Sequence, residues 1–373
     1  MQRNDTAQHT SAERRGLMMV SDPELLDAIL RLAAAAGCEL HRAADTGQAR
    51  ALWPHAPLVL LDADAAHHCG RAGLARRGEV IVAVRGEPSP AVWRDAVAVG
   101  ADHVVSLPEA ESWLVGALTD AAEGVRTGGA VLAVVGGRGG AGASVFAAAV
   151  AVTAAREGER VLLVDCDPLG GGLDLVLGAE DLGGLRWPGV DVGGGRVPAA
   201  ALHAALPAPT VSRGGAGALA VLSCDRSAHG PTPASVRSVV EAGRRGGEIV
   251  VCDLPRYPTD AAVAALAATD LVTLVVPADV RSCASGSRVA AVLAEHGGNV
   301  RLVVRGPAPG GIGADEIAGA LGLPLLVQMR PEPGLASALE RGSGPVRTRG
   351  PLARAAQIVL AELRGSATAG ARS

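Results

Sequence analysis

The chain has 373 residues, of which 49% are hydrophobic, 19% charged and 2% aromatic, with a net charge of −4. That length suits two or three domains, and the apolar content excludes a disordered chain. The acidic balance argues against a broad nucleic-acid-binding surface, and the sequence contains no lysine, so arginine is the one strong base that can meet a phosphate.

Residues 1–16 are polar and charged, so they read as a tail without a signal peptide. A regular alternation follows. A strand is predicted over 17–20 and a helix over 23–36, with apolar Leu25, Leu26, Ile29, Leu30 and Leu32. Strands over 38–42 and 58–61 flank a helix over 46–53, and the second of them ends at Asp62. A strand over 80–84, a helix over 90–99, a strand over 103–106 and a helix over 109–122 complete the series. Such alternation implies a parallel sheet with helices on both faces.

This first domain, residues 17–128, resembles the receiver domain of two-component systems. The resemblance implies that Asp62 is the phospho-accepting aspartate. It also implies an acidic pair after the first strand and a lysine after the fifth. Ser21-Asp22 offers a single acid there, and Ser106-Leu107-Pro108 offers no lysine. Without that ion-pairing lysine a phosphoryl group lacks its switch contact, so the domain is read as a degenerate receiver kept for docking. His67-His68-Cys69 has no second ligand cluster and reads as a polar loop rather than a metal site.

The second domain spans 130–365 and leaves 366–373 as a tail. It opens on VLAVVGGRGGAGAS, Val131 to Ser144: a buried strand, a glycine loop and the start of an alanine-rich helix over 145–157. Such a loop aims backbone N–H groups and a helix N-terminus at one point, which suits a phosphate. Two phosphate loops compete for these letters. Gly137-Arg138-Gly139-Gly140-Ala141-Gly142 fits the G-x-G-x-x-G of dinucleotide binders, with Asp165 as the ribose acid at the end of the next strand, over 160–164. Gly139-Gly140-Ala141-Gly142 and Ser144 also fit a deviant Walker A loop, whose two lysine positions hold Arg138 and Ala143.

The acids further on decide between them. Asp165-Cys166-Asp167-Pro168 runs into a glycine-rich segment containing Asp174, and a strand over 248–252 ends in Asp253-Leu254-Pro255, the Walker B pattern. A dehydrogenase leaves these acids idle, whereas a nucleotide hydrolase needs one carboxylate near magnesium and another to orient water. Residues 182–211 read as irregular apart from a helix over 199–205. Further strands are predicted over 218–223, 271–276, 300–304 and 325–328, and helices over 233–243, 287–295, 314–321, 334–341 and 351–363. In the last, Leu352, Ala355, Ala356, Val359 and Leu363 line one face, which reads as packing on the sheet rather than on a membrane.

The motifs GGRGGAGAS (Gly136 to Ser144), VLLVDCDPLGGGLDLVLG (Val161 to Gly178) and VVCDLP (Val250 to Pro255) resemble those of the MinD/ParA branch of P-loop ATPases. With the receiver-like domain in front, the whole is most similar to the CpaE-like proteins of actinobacteria, the group that includes septum site-determining proteins. The resemblance implies an α/β fold, receiver-like then MinD-like with a mostly parallel sheet. It implies that backbone from Gly137, Gly139, Gly140, Ala141, Gly142, Ala143, Ser144 and Val145 cradles ATP or ADP. Magnesium would be served by Ser144, Asp165 and Asp253, and Asp167 would place the attacking water. Arg138 takes the place of the signature lysine that reaches across a nucleotide-sandwich dimer.

Ala143 replaces the lysine that neutralises the phosphates, and loss of one such contact costs ~3 kcal/mol. Weak or absent hydrolysis is therefore expected. The asparagine usual on the adenine side is also replaced, by Arg305-Gly306-Pro307. The implied biology is spatial regulation of division, or of pilus or secretion assembly, through protein partners and a nucleotide-dependent homodimer. The alternatives are an active ATPase that uses Arg138 and a dinucleotide-dependent oxidoreductase. Six cysteines without a C-x-x-C read as small core residues. No run is long and apolar enough to cross a bilayer as a helix, so a cytoplasmic location is expected, with peripheral attachment to the inner face of the membrane allowed.

Overall fold

Alternating residues of each strand in the first sheet face opposite helical layers, as the pleat requires. Leu58, Leu60, Ile81 and Val105 pack with the helices Pro23–Ala35 and Glu111–Glu123. Leu17, Val59, Leu61, Val80 and Val82 pack with the helices Thr46–Leu52, Ala63–Arg71 and Pro90–Val99. The strands are β1 (Gly16–Met19), β2 (Leu40–Arg42), β3 (Val59–Leu61), β4 (Val80–Arg85) and β5 (His103–Leu107). They pair in parallel in the order β2-β1-β3-β4-β5. The computed structural model describes residues 15–123, 129–190, 197–211, 217–226, 230–306, 310–345 and 349–370. The chain divides into two units near residue 125.

Two expectations change here. Gly16 begins β1 and Arg15 pairs with Glu39, so the residues read as a tail end earlier than predicted, and the rest of that segment lies outside the described residues. The supposed loop at His67-His68-Cys69 is the helix Ala63–Arg71. Its buried face is small, Ala65, Ala66 and Cys69, while His67 pairs with Asp95 and His68 bonds the carbonyl of Asp64.

The second unit holds a seven-stranded sheet. Its strands are β6 (Ala130–Gly136), β7 (Arg160–Asp165), β8 (Ala218–Leu222), β9 (Ile249–Leu254), β10 (Leu271–Pro277), β11 (Val300–Arg305) and β12 (Leu325–Met329). The order is β12-β11-β10-β6-β9-β7-β8, and every pairing is parallel. β6 is buried along its whole length, as a near-continuous apolar run in a parallel sheet should be. After β6 the chain builds outward on one side and later returns to the other. The loop following β6 therefore lies at the switch point, at the carboxyl ends of the strands, where α/β sheets bind ligands.

The alanine-rich helix Ala143–Arg156 is buried from Phe146 to Ala155, between the sheet and the final helix Pro351–Gly370. Alanine favours the helix and lets both layers approach closely. The final helix buries Leu352, Ala355, Ala356, Val359, Leu360 and Leu363 in that core and is tied down by Arg364 to Glu157 and Glu159. It continues to Gly370, beyond the 365 boundary drawn from sequence. Short helices Leu173–Leu177 and Asp260–Leu266 occupy stretches without a predicted element.

Candidate functional site

The glycine loop takes its shape from its neighbours. Gly137 donates to the carbonyl of Val275 at 2.8 Å, and a Cβ on Gly137 would lie 2.8 Å from Val276 Cγ2. Only glycine passes there. Gly140 and Gly142 have φ of +71° and +91°, in the left-handed region. Gly142 caps the helix Ala143–Arg156 without a side-chain bond, so its first turn presents backbone donors to a ligand. Ser144, in that turn, hydrogen-bonds Asp253 at the end of β9.

Asp165 and Asp253 are partners in the β7–β9 register. Asp253 is buried, and its carboxyl is pushed up to about 8. Burial is the main cause; the Ser144 bond works the other way, and the nearby Asp165 and Asp167 push it further up. Asp165 is also buried and also shifted upward by burial. Its carboxylate accepts from the N–H groups of Asp167 (3.1 Å), Leu173 (3.3 Å) and Cys224 (3.3 Å) and from Ser223 Oγ (3.2 Å). Those bonds fold the 166–174 segment back over the end of β7. Asp167 accepts from the N–H of Leu169 at 3.1 Å and so shapes its own turn. Thus Ser144, Asp165, Asp167 and Asp253 gather beside the loop.

A divalent cation fits this cluster chemically. Three carboxyl groups crowd together, two of them buried and each bonded to a serine hydroxyl. Among the described residues no three His, Cys, Asp or Glu side chains cage an ion on their own. Magnesium at phosphate sites is held by one or two side chains together with phosphate oxygens, so no such cage is needed.

The far side of the loop was less legible. Arg138 reaches Asp279 at 3.7 Å, and its Nε is buried without a hydrogen-bond partner. It lines a cavity of 390 Å³ together with Gly142, Val145, Arg305, Met329 and Arg330. Arg305, at the end of β11, lays its Nη1 3.0 Å from where a Cβ on Gly142 would be. Pro307, two residues on, lies outside the described residues. The sequence presents Arg305 only as a departure from the expected asparagine; the strand order is what brings it to the loop.

The sheet order also removes the dinucleotide reading. In a dinucleotide-binding fold the ribose acid ends the strand next to the glycine-loop strand. Here β9 stands between β6 and β7, so Asp165 is two strands away from the loop.

In the first unit, Asp62 is buried and fully engaged. Its carboxylate accepts from Ser21 N–H (2.6 Å), Ser21 Oγ (2.6 Å) and Asp22 N–H (3.3 Å), and from Ala65 N–H (2.8 Å) as the cap of Ala63–Arg71. Asp22 caps Pro23–Ala35 and pairs with Arg85 at 2.9 Å, while Arg85 also reaches Glu24. A cavity of 530 Å³ opens beside these groups. Replacing Asp62 by alanine removes a cap and leaves the buried Ala65 N–H without its acceptor, while the donors of Ser21 and Asp22 can reach water, so a loss of about 1–2 kcal/mol is expected. Urea unfolding of the variant checks this, with Asp62→Asn losing less.

Residues 19–129 match the model of the Rv3660c-like, CheY-like N-terminal domain, and residues 132–224 match the CobQ/CobB/MinD/ParA nucleotide binding domain. The Mycobacterium tuberculosis (strain H37Rv) protein Rv3660c is 48% identical over 349 residues, covering 92% of this chain and 97% of that protein. MT3760 of strain CDC 1551 matches with the same figures. Among solved structures, a ParA family ATPase from Chlorobium tepidum is 17% identical with a TM-score of 0.54, covering 62% of this chain and 97% of that one. A chain of the MinC:MinD cell division protein complex of Aquifex aeolicus is 22% identical with a TM-score of 0.51, covering 62% of this chain and 96% of that one. At such identities the two structures speak for the fold alone. The chain belongs to the family of Rv3660c, with a receiver-like domain followed by a MinD/ParA-type P-loop domain.

Proposed function

We propose that the chain is a MinD-like spatial regulator whose phosphate loop binds ATP or ADP with magnesium and hydrolyses it weakly or not at all. The observation that carries this reading is the gathering of Ser144, Asp165, Asp167 and Asp253 beside a loop with alanine at its lysine position. Backbone from Gly137 to Val145 would hold the phosphates. Ser144 and Asp253 would hold magnesium, which neutralises phosphate charge when bound, and Asp165 would fix the 166–174 segment that carries Asp167. Nucleotide would tune homodimerisation and the engagement of division, pilus or secretion proteins. The apolar face of the final helix is spent inside the chain, so any membrane contact would be peripheral and made by other surfaces. Among the described residues no helix is long and apolar enough to cross a membrane.

The test is calorimetric titration of the purified chain with ATP, ADP and NAD, with and without magnesium, alongside a phosphate-release assay. ATP and ADP are expected to bind with little turnover, and NAD not to bind. NAD binding without an ATP response overturns the reading. Fast magnesium-dependent turnover abolished by Asp167→Ala replaces it with an active ATPase.

A further inference from the structure

We propose that Arg305, delivered from the end of β11, supplies the positive charge that Ala143 leaves out of the loop and grips the phosphate chain of a bound nucleoside di- or triphosphate. The inference rests on the nucleotide reading above and names the group that makes it work in this chain.

Position comes first. The Arg305 guanidinium lies against Gly142, the residue immediately before Ala143, with Nη1 3.0 Å from the Gly142 Cβ position. It therefore stands at the head of the helix Ala143–Arg156, where the loop donors converge. The residue is far from the loop in sequence, but β11 lies two strands from β6 in the sheet.

Charge comes second. Arg138, Arg305 and Arg330 line one cavity with two carboxylates, Asp279 and Glu332. Both acids are already employed. Asp279 caps Val280–Glu295, accepting from Ser282 N–H at 2.8 Å and Ser282 Oγ at 2.7 Å. Glu332 accepts the N–H of Leu352 at 3.1 Å. Among the described residues no carboxylate lies within ion-pair distance of Arg305; Asp279 acts on it only at longer range, and Arg138 opposes it. Burial and the Arg138 charge lower the Arg305 pKa for this reason. Two guanidinium groups, one with a buried and unpartnered Nε, thus face a loop of backbone donors. A polyphosphate satisfies all of them together. Guanidinium also suits phosphate oxygens geometrically, through its fork of donors.

The experiment compares AMP, ADP and inorganic pyrophosphate by titration calorimetry with magnesium, on the full chain. The wild type is expected to prefer ADP to AMP. Arg305→Ala should weaken ADP and pyrophosphate about 10- to 100-fold while changing AMP much less, as loss of a charge-assisted contact predicts. Adding Ala143→Lys to that variant should restore ADP binding. Unfolding curves verify that the variant folds, and Arg305→Gln serves if it does not. An unchanged ADP affinity in Arg305→Ala overturns the role of Arg305 and leaves the nucleotide reading standing. Equal weakening of AMP and ADP likewise overturns it, since the residue would then act on the base or the loop shape. A wild type that binds none of the three overturns both readings.

Discussion

Asp174→Ala is expected to lower the stability of the P-loop unit by about 3 kcal/mol or more, the scale for breaking a buried charge cluster by removing one partner. Asp174 has no exposed surface and accepts from Arg226 Nη1 at 2.9 Å, Arg186 Nε at 3.1 Å and its neighbour Leu175 N–H at 2.9 Å. Arg186 is itself only 15% exposed, so alanine would leave it desolvated without its counter-charge, held only by the carbonyls of Ala179, Leu182 and Gly184. Arg226 is 54% exposed and can turn to water, which keeps the loss near the lower end. Burial pushes the Asp174 carboxyl up, but the bonds from Arg226 and Arg186 together outweigh it and hold it below the usual range. A depressed folded pKa means the stabilisation is complete above the unfolded value of about 3.9 and disappears as pH falls through the folded one. Urea midpoints should therefore separate wild type and variant by a constant gap above about pH 5, and the gap should begin to narrow below about pH 4 as the carboxyl takes up its proton. A gap that widens as pH falls through this range would contradict this account. Ser223 bonds both Asp174 and Asp165, so the variant should also loosen the segment that carries Asp167.

Ala143→Lys is expected to raise affinity for ATP and ADP about 10- to 100-fold, the scale of one charge-assisted contact. The gain should appear only with the nucleotide present. Without it, a lysine in the first turn of Ala143–Arg156 opposes the helix dipole and costs about 0.3–1 kcal/mol. The measured signature is thus a lower melting temperature in the absence of ligand and a larger rise on adding ATP, since ligand stabilises by its concentration relative to Kd. Turnover should rise with affinity and fall again in the Ala143→Lys, Asp167→Ala double variant. An affinity unchanged by Ala143→Lys, both in the wild type and in the Arg305→Ala background, would mean that the loop does not cradle phosphate.

The sheets were legible because each strand is a short apolar run between turn residues, and the acids at strand ends marked the carboxyl edge. The missed helices had weaker signals. Ala63–Arg71 buries only small residues, and its cap, Asp62, stands where the receiver resemblance puts a phospho-acceptor rather than a helix start. Asp260–Leu266 is mostly alanine, which carries little periodicity. The spacing placed Asp165, Asp167 and Asp253 near one loop but could not say how their oxygens are used. That Asp165 anchors the 166–174 segment through Ser223 and Cys224 depends on β8 lying beside β7. Arg305 was out of reach for the same reason: strand order, not distance along the chain, brings it to Gly142.

The burial of Pro351–Gly370 bears on how the protein is made. The helix it covers, Ala143–Arg156, emerges from the ribosome some two hundred residues before its cover. Until Leu363 has been synthesised, the apolar surface of that helix and of the adjoining sheet remains open to water or to a chaperone. The first sheet, by contrast, has all its strands by Leu107 and can close while translation continues. Biogenesis is thus split into an early cotranslational step and a late one. A premature stop within the last helix would release a chain with a finished first sheet and an unsealed nucleotide-binding unit.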